Sequence, residues 1–387
     1  MDIKCWNDFS RLPFITKEMI RDNLKDFTST LYSKNKLIYQ TTGGSTGIPF
    51  GFYNTKKDQW IENAFVAIEW SEVGWNLNMN GTLLRGAYVG DKNHIGIISR
   101  NRGIYLPNKS YSLSPYHLSE DNYQSYISFL KKNPSDYIFA YPSSITALSK
   151  LILDHEDSRK LQTKLILLGS ENVYDWQIEI MKKAFPTSII HSCYGQSEKV
   201  IIAHWCKDTY KYHLNPFYGY TELLAQSKQA SIGQIGELVG TSFWLKATPF
   251  IRYKTMDYAV NGGQNCNSCG RKFQVLDRID GRLNEVIVSK DGRQISMTSI
   301  NMHDSTFDCV SKFRFIQNEP GKCILQIVPK LNAKINEDYI INSLKNKLGN
   351  DFFININIVP DILPSKSGKF SFIQQNISID GIDRLKY

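Results

Sequence analysis

The stretch whose residue types point most directly to chemistry is Thr42-Gly43-Gly44-Ser45-Thr46-Gly47-Ile48-Pro49. Glycines let a backbone curl through positive φ and approach a ligand closely. The N–H groups so freed, with the hydroxyls of Thr42, Ser45 and Thr46, make a concavity that suits a phosphate. This is not a Walker loop: the Gly-Lys-Ser/Thr ending is missing, and Ile48 stands where a lysine would help. The competing reading is an ordinary Gly/Ser/Thr surface loop.

Four further stretches carry groups that would complete a nucleotide site. In Tyr194-Gly195-Gln196-Ser197-Glu198 a hydroxyl and a carboxylate follow a strand-like run and could hold Mg²⁺, which takes hard oxygen ligands. In Pro249–Asp257 the carboxylate of Asp257 ends an aromatic strand and could accept two ribose hydroxyls. In Arg278–Glu285, Arg278 and Arg282 could pair with phosphate or ribose, and Gly281 could be a hinge. In Leu363–Phe370 a Ser-Gly turn presents Lys369 to a ligand held by another domain. Each has a structural alternative: a strand-to-loop turn, a capping aspartate, a solvated charged turn and a basic loop.

Cys266-Asn267-Ser268-Cys269 is half of a zinc site, and Cys206 and His213 could supply the other half. A closed Cys₃His set would be structural rather than catalytic. The rival is a pair of reduced thiols beside a satisfied His213. The remaining Cys5, Cys193, Cys309 and Cys323 read as plain core or surface thiols.

These groups need elements to position them. The chain has 387 residues, 42% hydrophobic and 21% charged, which fits a large globular core and two domains. The charge of +9 is spread along the chain, so it favours anionic ligands weakly and argues for no nucleic-acid partner. No basic-then-apolar leader opens the sequence and no apolar run reaches about 20 residues, so neither a signal peptide nor a membrane span is expected. Seven scattered cysteines suit a reducing cytoplasm.

Thr16 is a candidate N-cap for a helix over Lys17–Leu24, and Gln59–Val73 has a helical rhythm with Trp60, Ala64, Ala67 and Ile68 on one face. Strands are expected at Gly81–Val89, His94–Ile98, Asp136–Tyr141, Leu165–Leu168 and Ser188–Cys193. Helices are expected at Asn122–Lys132, Ile145–Asp154 with Ser144 as cap, and Trp176–Phe185. This alternation predicts an α/β sheet with its functional groups at strand ends. Strand signals thicken over Val200–Val260, including Phe250–Tyr253. Beyond Gly281–Asn284 an Asp291-Gly292 hairpin and the run Phe313–Val359 predict a small α+β unit. The expected division is therefore 1–281 and 282–387.

In this order and at these separations the motifs resemble the adenylate-forming (acyl-CoA synthetase) superfamily, and within it the phenylacetate–CoA ligase/CapK branch of aryl-acid activation and capsular polysaccharide clusters. Leu12–Arg21, Thr42–Pro49, Tyr141-Pro142-Ser143, Gly169-Ser170-Glu171, Tyr194–Glu198, Pro249–Asp257, Cys266–Arg271 and Gly281-Arg282 carry the resemblance. It implies a large N-terminal ATP- and acyl-binding adenylation domain and a small mobile C-terminal lid. The Thr42–Gly47 loop would hold the ATP phosphates. Ser170, Glu171, Tyr194 and Gly195 would border the adenine, Asp257 would bind the ribose, and Arg278 and Arg282 the ribose or phosphate. Glu198 would bind Mg²⁺, and Lys369 would offset charge as the acyl-adenylate forms. Branch members with such cysteines hold a structural zinc. Adenylation joins two anions, so charge neutralisation and positioning would supply most of the catalysis.

Three positions depart from the pattern: Ile48 for a lysine, Met256 for a glycine, and Asn284 for a hinge carboxylate. None removes a phosphate or ribose ligand, while Asn284 weakens the case for a standard domain rotation. The expected activity is activation of a small carboxylic acid as acyl-AMP and transfer to a thiol, CoA first. The alternatives are transfer to an amine or a carrier protein, as in polysaccharide or natural-product synthesis, and a non-catalytic nucleotide- and zinc-binding module. A homodimer would be in keeping with the family.

Overall fold

The structure, a computed structural model, describes residues 4–42, 50–85, 96–100, 109–115, 117–156, 161–282, 286–290, 292, 294–297, 300, 305–350, 352–364 and 369–377. The chain forms two compact units. One joins Met1–Glu72 to Cys193–Ile279; the other joins Val73–Ser192 to Asp280–Tyr387.

In the first unit the strands lie in the order Lys228–Gln229, Gly219–Ala225, Ile235–Ser242, Tyr253–Gly263, Val275–Arg282, Tyr212–Leu214, Ile202–Trp205 and Ile189–Gly195, the last entering the unit at Cys193. Thr16 caps the helix Lys17–Asp22 as expected, accepting from Met19 N–H at 3.3 Å. The expected Phe250–Tyr253 strand is corrected: the strand begins at Tyr253 and runs to Gly263, so Asp257 lies inside it. Its pairing with Ile235–Ser242 slips between Glu237 and Val239, where Thr255 donates to the Leu238 carbonyl at 2.8 Å and Met256 adopts φ +64°. Thr255, Met256 and Asp257 thus stand opposite the single Leu238, and extra residues in one strand bend it and re-aim its side chains.

The helix expected over Gln59–Val73 runs Lys56–Ser71, begun by a Thr55/Asp58 capping box. Its assigned face is wrong. Trp60 and Ile68 are 68% and 59% exposed, whereas Asp58, Glu69 and Trp70 are buried. Burying a carboxylate such as Glu69 is tolerable only beside a partner, and His204 supplies it with Nδ1 2.6 Å from Oε2. Hydropathy periodicity cannot register a buried ion pair.

In the second unit, Leu165–Gly169, Tyr137–Ala140, Gly81–Leu84 and Lys109–Leu113 are neighbours in a parallel sheet, with Gly96–Arg100 antiparallel at the edge. Leu165–Gly169 is buried at every position, as its continuous apolar run predicts. The helix expected at Ile145 starts at Pro142, because proline at the first helical position costs no hydrogen bond; Tyr141, not Ser144, is the cap. A smaller four-stranded sheet, Phe353–Ile358, Lys322–Pro329, Val310–Glu319 and Ile373–Gln375, packs on helix Glu337–Leu348 through Ile340, Leu344 and Leu348. The hairpin of Val286–Val288 and Gln294–Ser296 forms as expected.

Candidate functional site

The glycine loop joins the antiparallel strands Ile38–Thr42 and Phe50–Asn54, with Thr42 opposite Phe50. Gly43, Gly44, Ser45, Thr46 and Gly47 lie outside the described residues, as do Asn284 and the Ser-Gly turn before Lys369.

Among the described residues of the first unit, the bulge brings Asp257 to Tyr194. The Tyr194 hydroxyl donates to Asp257 Oδ2 at 2.8 Å and accepts from Gln196 Nε2 at 2.5 Å. Gln196 Oε1 in turn accepts from Ile201 N–H at 3.3 Å. Burial and the Asp257 charge push the Tyr194 phenol far above its ordinary range, so it stays a donor. An aromatic face, a phenol and a buried carboxylate thus stand in one fixed arrangement, suited to a nucleoside. Gly195 ends the Tyr194 strand, and Arg278, exposed, lies on Val275–Arg282.

Glu198 is buried, and its Oε1 accepts from the Tyr253 hydroxyl at 2.8 Å and lies 3.7 Å from Lys17 Nζ. The next residue, Lys199, pairs with Glu62 at 3.0 Å. A pinned carboxylate of this kind supplies the hard oxygen that Mg²⁺ requires, though Lys17 competes for the same atom. Arg252 anchors the whole segment. Its guanidinium makes two bonds to Glu222 at 3.0 and 2.8 Å, caps the Ser10 carbonyl, and donates to the Leu12 carbonyl at 2.6 Å.

In the second unit the carboxyl ends of three parallel strands gather Arg85, Tyr141-Pro142-Ser143 and Ser170-Glu171. Ligands of open α/β sheets bind at such an edge. Arg85 donates to Ser170 Oγ at 2.7 Å, with its guanidinium over the Phe139 ring at 4.0 Å and the Tyr141 ring at 5.0 Å. Ser170 has φ +70°, which turns Glu171 toward the start of helix Pro142–Asp154. Glu171 accepts from Ser143 N–H and Ser143 Oγ, each at 3.0 Å, and from Phe370 N–H at 2.8 Å. Burial raises its carboxyl above the usual range, opposed by those bonds and by the nearby Lys369. Lys369 itself is exposed. Sequence reading missed Arg85, which follows a short apolar strand with nothing local to mark it.

The cysteine knuckle closes as a four-residue cluster. Cys206 and Cys266 sulfurs lie 3.7 Å apart, Cys269 Sγ and His213 Nε2 lie 3.8 Å apart, and all four ligand atoms fall within 4.8 Å of one another. Metal–sulfur bonds of about 2.3 Å in a tetrahedron give edges of about 3.8 Å, so the donor set fits zinc. Burial raises the Cys266 thiol, but the N–H groups of Cys269 and Ser268, together with the neighbouring Cys269 and Cys206 thiols, leave it below its usual range. Burial, with His204 and Arg271, lowers His213 to about 4, keeping the imidazole neutral as a ligand must be.

Behind this cluster stands a charged network. Arg271 donates to Glu72 Oε1 at 2.7 Å and lies 2.9 Å from His204 Nε2, and Asn215 donates to Glu69 Oε1 at 2.6 Å. His204 draws Glu72 down to about 2.

Residues 287–376 match the family model of the CapK C-terminal domain. Protein CapK of Staphylococcus aureus is 27% identical over 380 residues, covering 96% of this chain and 81% of that protein. The chain is thus similar to CapK along nearly its whole length, and its C-terminal part matches the CapK C-terminal domain. Phenylacetate-coenzyme A ligase of Pseudomonas putida is 22% identical over 74% of this chain and 64% of its own length. The fold is shared with 2-hydroxyisobutyryl-CoA ligase, solved in its postadenylation state with 2-HIB-AMP, which aligns with a TM-score of 0.74 at 15% identity, over 96% of this chain and 82% of that one. No helix among the described residues is long and apolar enough to cross a membrane.

Proposed function

We propose that this protein is an ATP- and Mg²⁺-dependent ligase that activates a small carboxylic acid as its acyl-adenylate and passes the acyl group to the thiol of CoA. The observation that carries this reading is the tether of the Lys369 segment to Glu171, which holds a lysine beside the carboxyl edge of a parallel sheet.

The substrate carboxylate attacks the α-phosphorus of ATP, the bond to the bridging oxygen breaks, and pyrophosphate leaves. Lys369 offsets the negative charge gathering on the carboxylate and α-phosphate oxygens, an electrostatic role that needs no proton transfer. Thr42–Gly47 cradle the phosphates, and Arg278 and Arg282 pair with phosphate or ribose. Tyr194 and Gly195, with Ser170 and the Glu171 backbone, border the adenine, and Asp257 takes the ribose hydroxyls. Glu198 supplies a hard-oxygen ligand for Mg²⁺, whose charge would balance the pyrophosphate. In the second half-reaction the thiol attacks the acyl carbonyl and AMP leaves. Residues 282–387 act as the lid that brings Lys369 up for the first step and withdraws it for the second. Cys206, His213, Cys266 and Cys269 hold a structural zinc. The setting proposed is the cytoplasm.

Pyrophosphate release from ATP across a panel of carboxylic acids, with and without CoA, tests this. Acid-dependent release accelerated by CoA with loss of free thiol is expected. Release indifferent to CoA would direct the acyl group to an amine or carrier protein instead, and none with any acid would leave a nucleotide-binding protein. Lys369→Ala is expected to lower the adenylation rate at least a hundredfold with ATP affinity nearly unchanged; an equal loss of both would contradict the role given to Lys369.

A further inference from the structure

We infer that Glu171 is a positioning residue, a latch that docks the Lys369 segment for adenylation and lets it go for acyl transfer. The inference rests on the adenylation reading of this site.

The latch is built from both sides. Ser170 leaves the strand Leu165–Gly169 with φ +70°, which carries Glu171 to the first turn of helix Pro142–Asp154. There the carboxylate takes Ser143 N–H, one of the donors a helix start leaves without an internal partner, together with Ser143 Oγ. A negative charge is favoured at that end of a helix. Glu171 is therefore oriented by its own side of the sheet. Its third bond reaches Phe370 N–H at 2.8 Å, 199 positions along the chain. That N–H belongs to the Lys369–Phe370 peptide, so the bond fixes the backbone that carries the lysine. Beside it, Phe370 stacks edge-on against Phe372 at 5.1 Å, and Phe372 packs against Tyr174 and Trp176 at 5.9 and 5.6 Å. Both parts of the receptor, Glu171 and the Tyr174/Trp176 pair, thus fall within six residues of sequence.

The Glu171 part of this latch adds one charge-assisted hydrogen bond to the docked state, beside the aromatic packing of Phe372. When Phe370 leaves, Ser143 still satisfies the carboxylate, so release strands no buried charge. Such a bond shifts a population about tenfold to a hundredfold, enough to favour docking and small enough to reverse within a catalytic cycle. A purely adenine-contacting Glu171 would act on ATP binding; a latch acts on the step that needs Lys369.

Hydrogen exchange across 369–377 in the full-length protein reads the latch without activity. Glu171→Ala is expected to speed exchange of the Phe370 amide at least tenfold, and Glu171→Gln, which keeps an acceptor oxygen, by less. In the pyrophosphate assay Glu171→Ala should lower kcat at least tenfold with KM for ATP within twofold. Adding it to Lys369→Ala should cost nothing further, and Glu171→Gln should restore part of the rate. Unchanged exchange in Glu171→Ala overturns the latch, as does a KM effect that matches the kcat effect. If Glu171→Ala does not fold, the Gln variant carries the same comparison. Should the wild type release no pyrophosphate with any acid, the adenylation reading fails, while faster exchange still supports the tether and unchanged exchange still removes it.

Discussion

Tyr194 and Asp257, 63 positions apart, are joined by a 2.8 Å hydrogen bond in which the phenol donates to Oδ2. Asp257 lies within the bulge of the strand Tyr253–Gly263, and Tyr194 on the strand Ile189–Gly195. Tyr194→Phe keeps the aromatic face and removes the bond to the carboxylate together with the one accepted from Gln196. A hydrogen bond to a charged group is worth about 1.5–3 kcal/mol. Titration with a fluorescent ATP analogue is therefore expected to show roughly tenfold weaker binding for Tyr194→Phe, and a larger loss for Asp257→Ala. Wild-type affinity in both variants would remove the pair from the nucleotide site.

Met256 holds φ +64° at the centre of that bulge, where the related pattern has glycine. A left-handed conformation costs an L-residue about 1–2 kcal/mol, while glycine loses about 0.5–1 kcal/mol more entropy on folding. These nearly cancel, so Met256→Gly should change urea-unfolding stability by less than about 1 kcal/mol. A β-branched side chain tolerates positive φ poorly, so Met256→Val should destabilise by about 1–2 kcal/mol and weaken ATP binding by mis-aiming Asp257. A valine variant as stable as wild type would show that the bulge is not under this constraint.

These two residues also mark how far the sequence could be read. The buried parallel strands are visible in runs such as Leu165–Leu168, because a continuous apolar run is a local signal. The bulge is not, since it arises from a register slip between Glu237 and Val239 on the neighbouring strand. Nor is the buried face of Lys56–Ser71, because Glu69 is compensated by His204 from a strand 135 positions on. Arg85 escapes for a similar reason: its partner Ser170 is 85 positions away. Local pattern gives elements; partners distant in sequence decide which faces and carboxylates are buried.

The sulfur edge between Cys206 and Cys266, 3.7 Å, is the length a zinc tetrahedron imposes. Purified protein is expected to carry close to one equivalent of zinc, released by a thiol-modifying mercurial and replaced by cobalt with thiolate-to-metal absorption. Cys266→Ser should lose the metal and lower Tm by several degrees, since a structural zinc contributes folding energy directly. Less than half an equivalent per chain would remove zinc from the assignment.

Lys150 provides a test by pH. It lines a cavity with Leu118, Ser143, Trp176, Phe313 and Ile362, and its Nζ donates to the carbonyls of Val310 and Ser311 at 3.3 and 3.2 Å. Burial, with repulsion from Lys330, lowers its pKa from 10.5 to about 8. Below pH 8 the amine is charged in both folded and unfolded chains, and the folded state bears the desolvation. Between pH 8 and 10.5 the unfolded chain still binds the proton and the folded chain does not, so folding gains with rising pH. Other groups titrate there too, but they cancel in a comparison with Lys150→Met. Wild type should therefore gain on Lys150→Met as pH rises from 8 to 10, by at most about 1.4 kcal/mol per pH unit. A flat difference across that range would mean that Lys150 titrates as an exposed lysine does, and a falling one would reverse the sign of its shift.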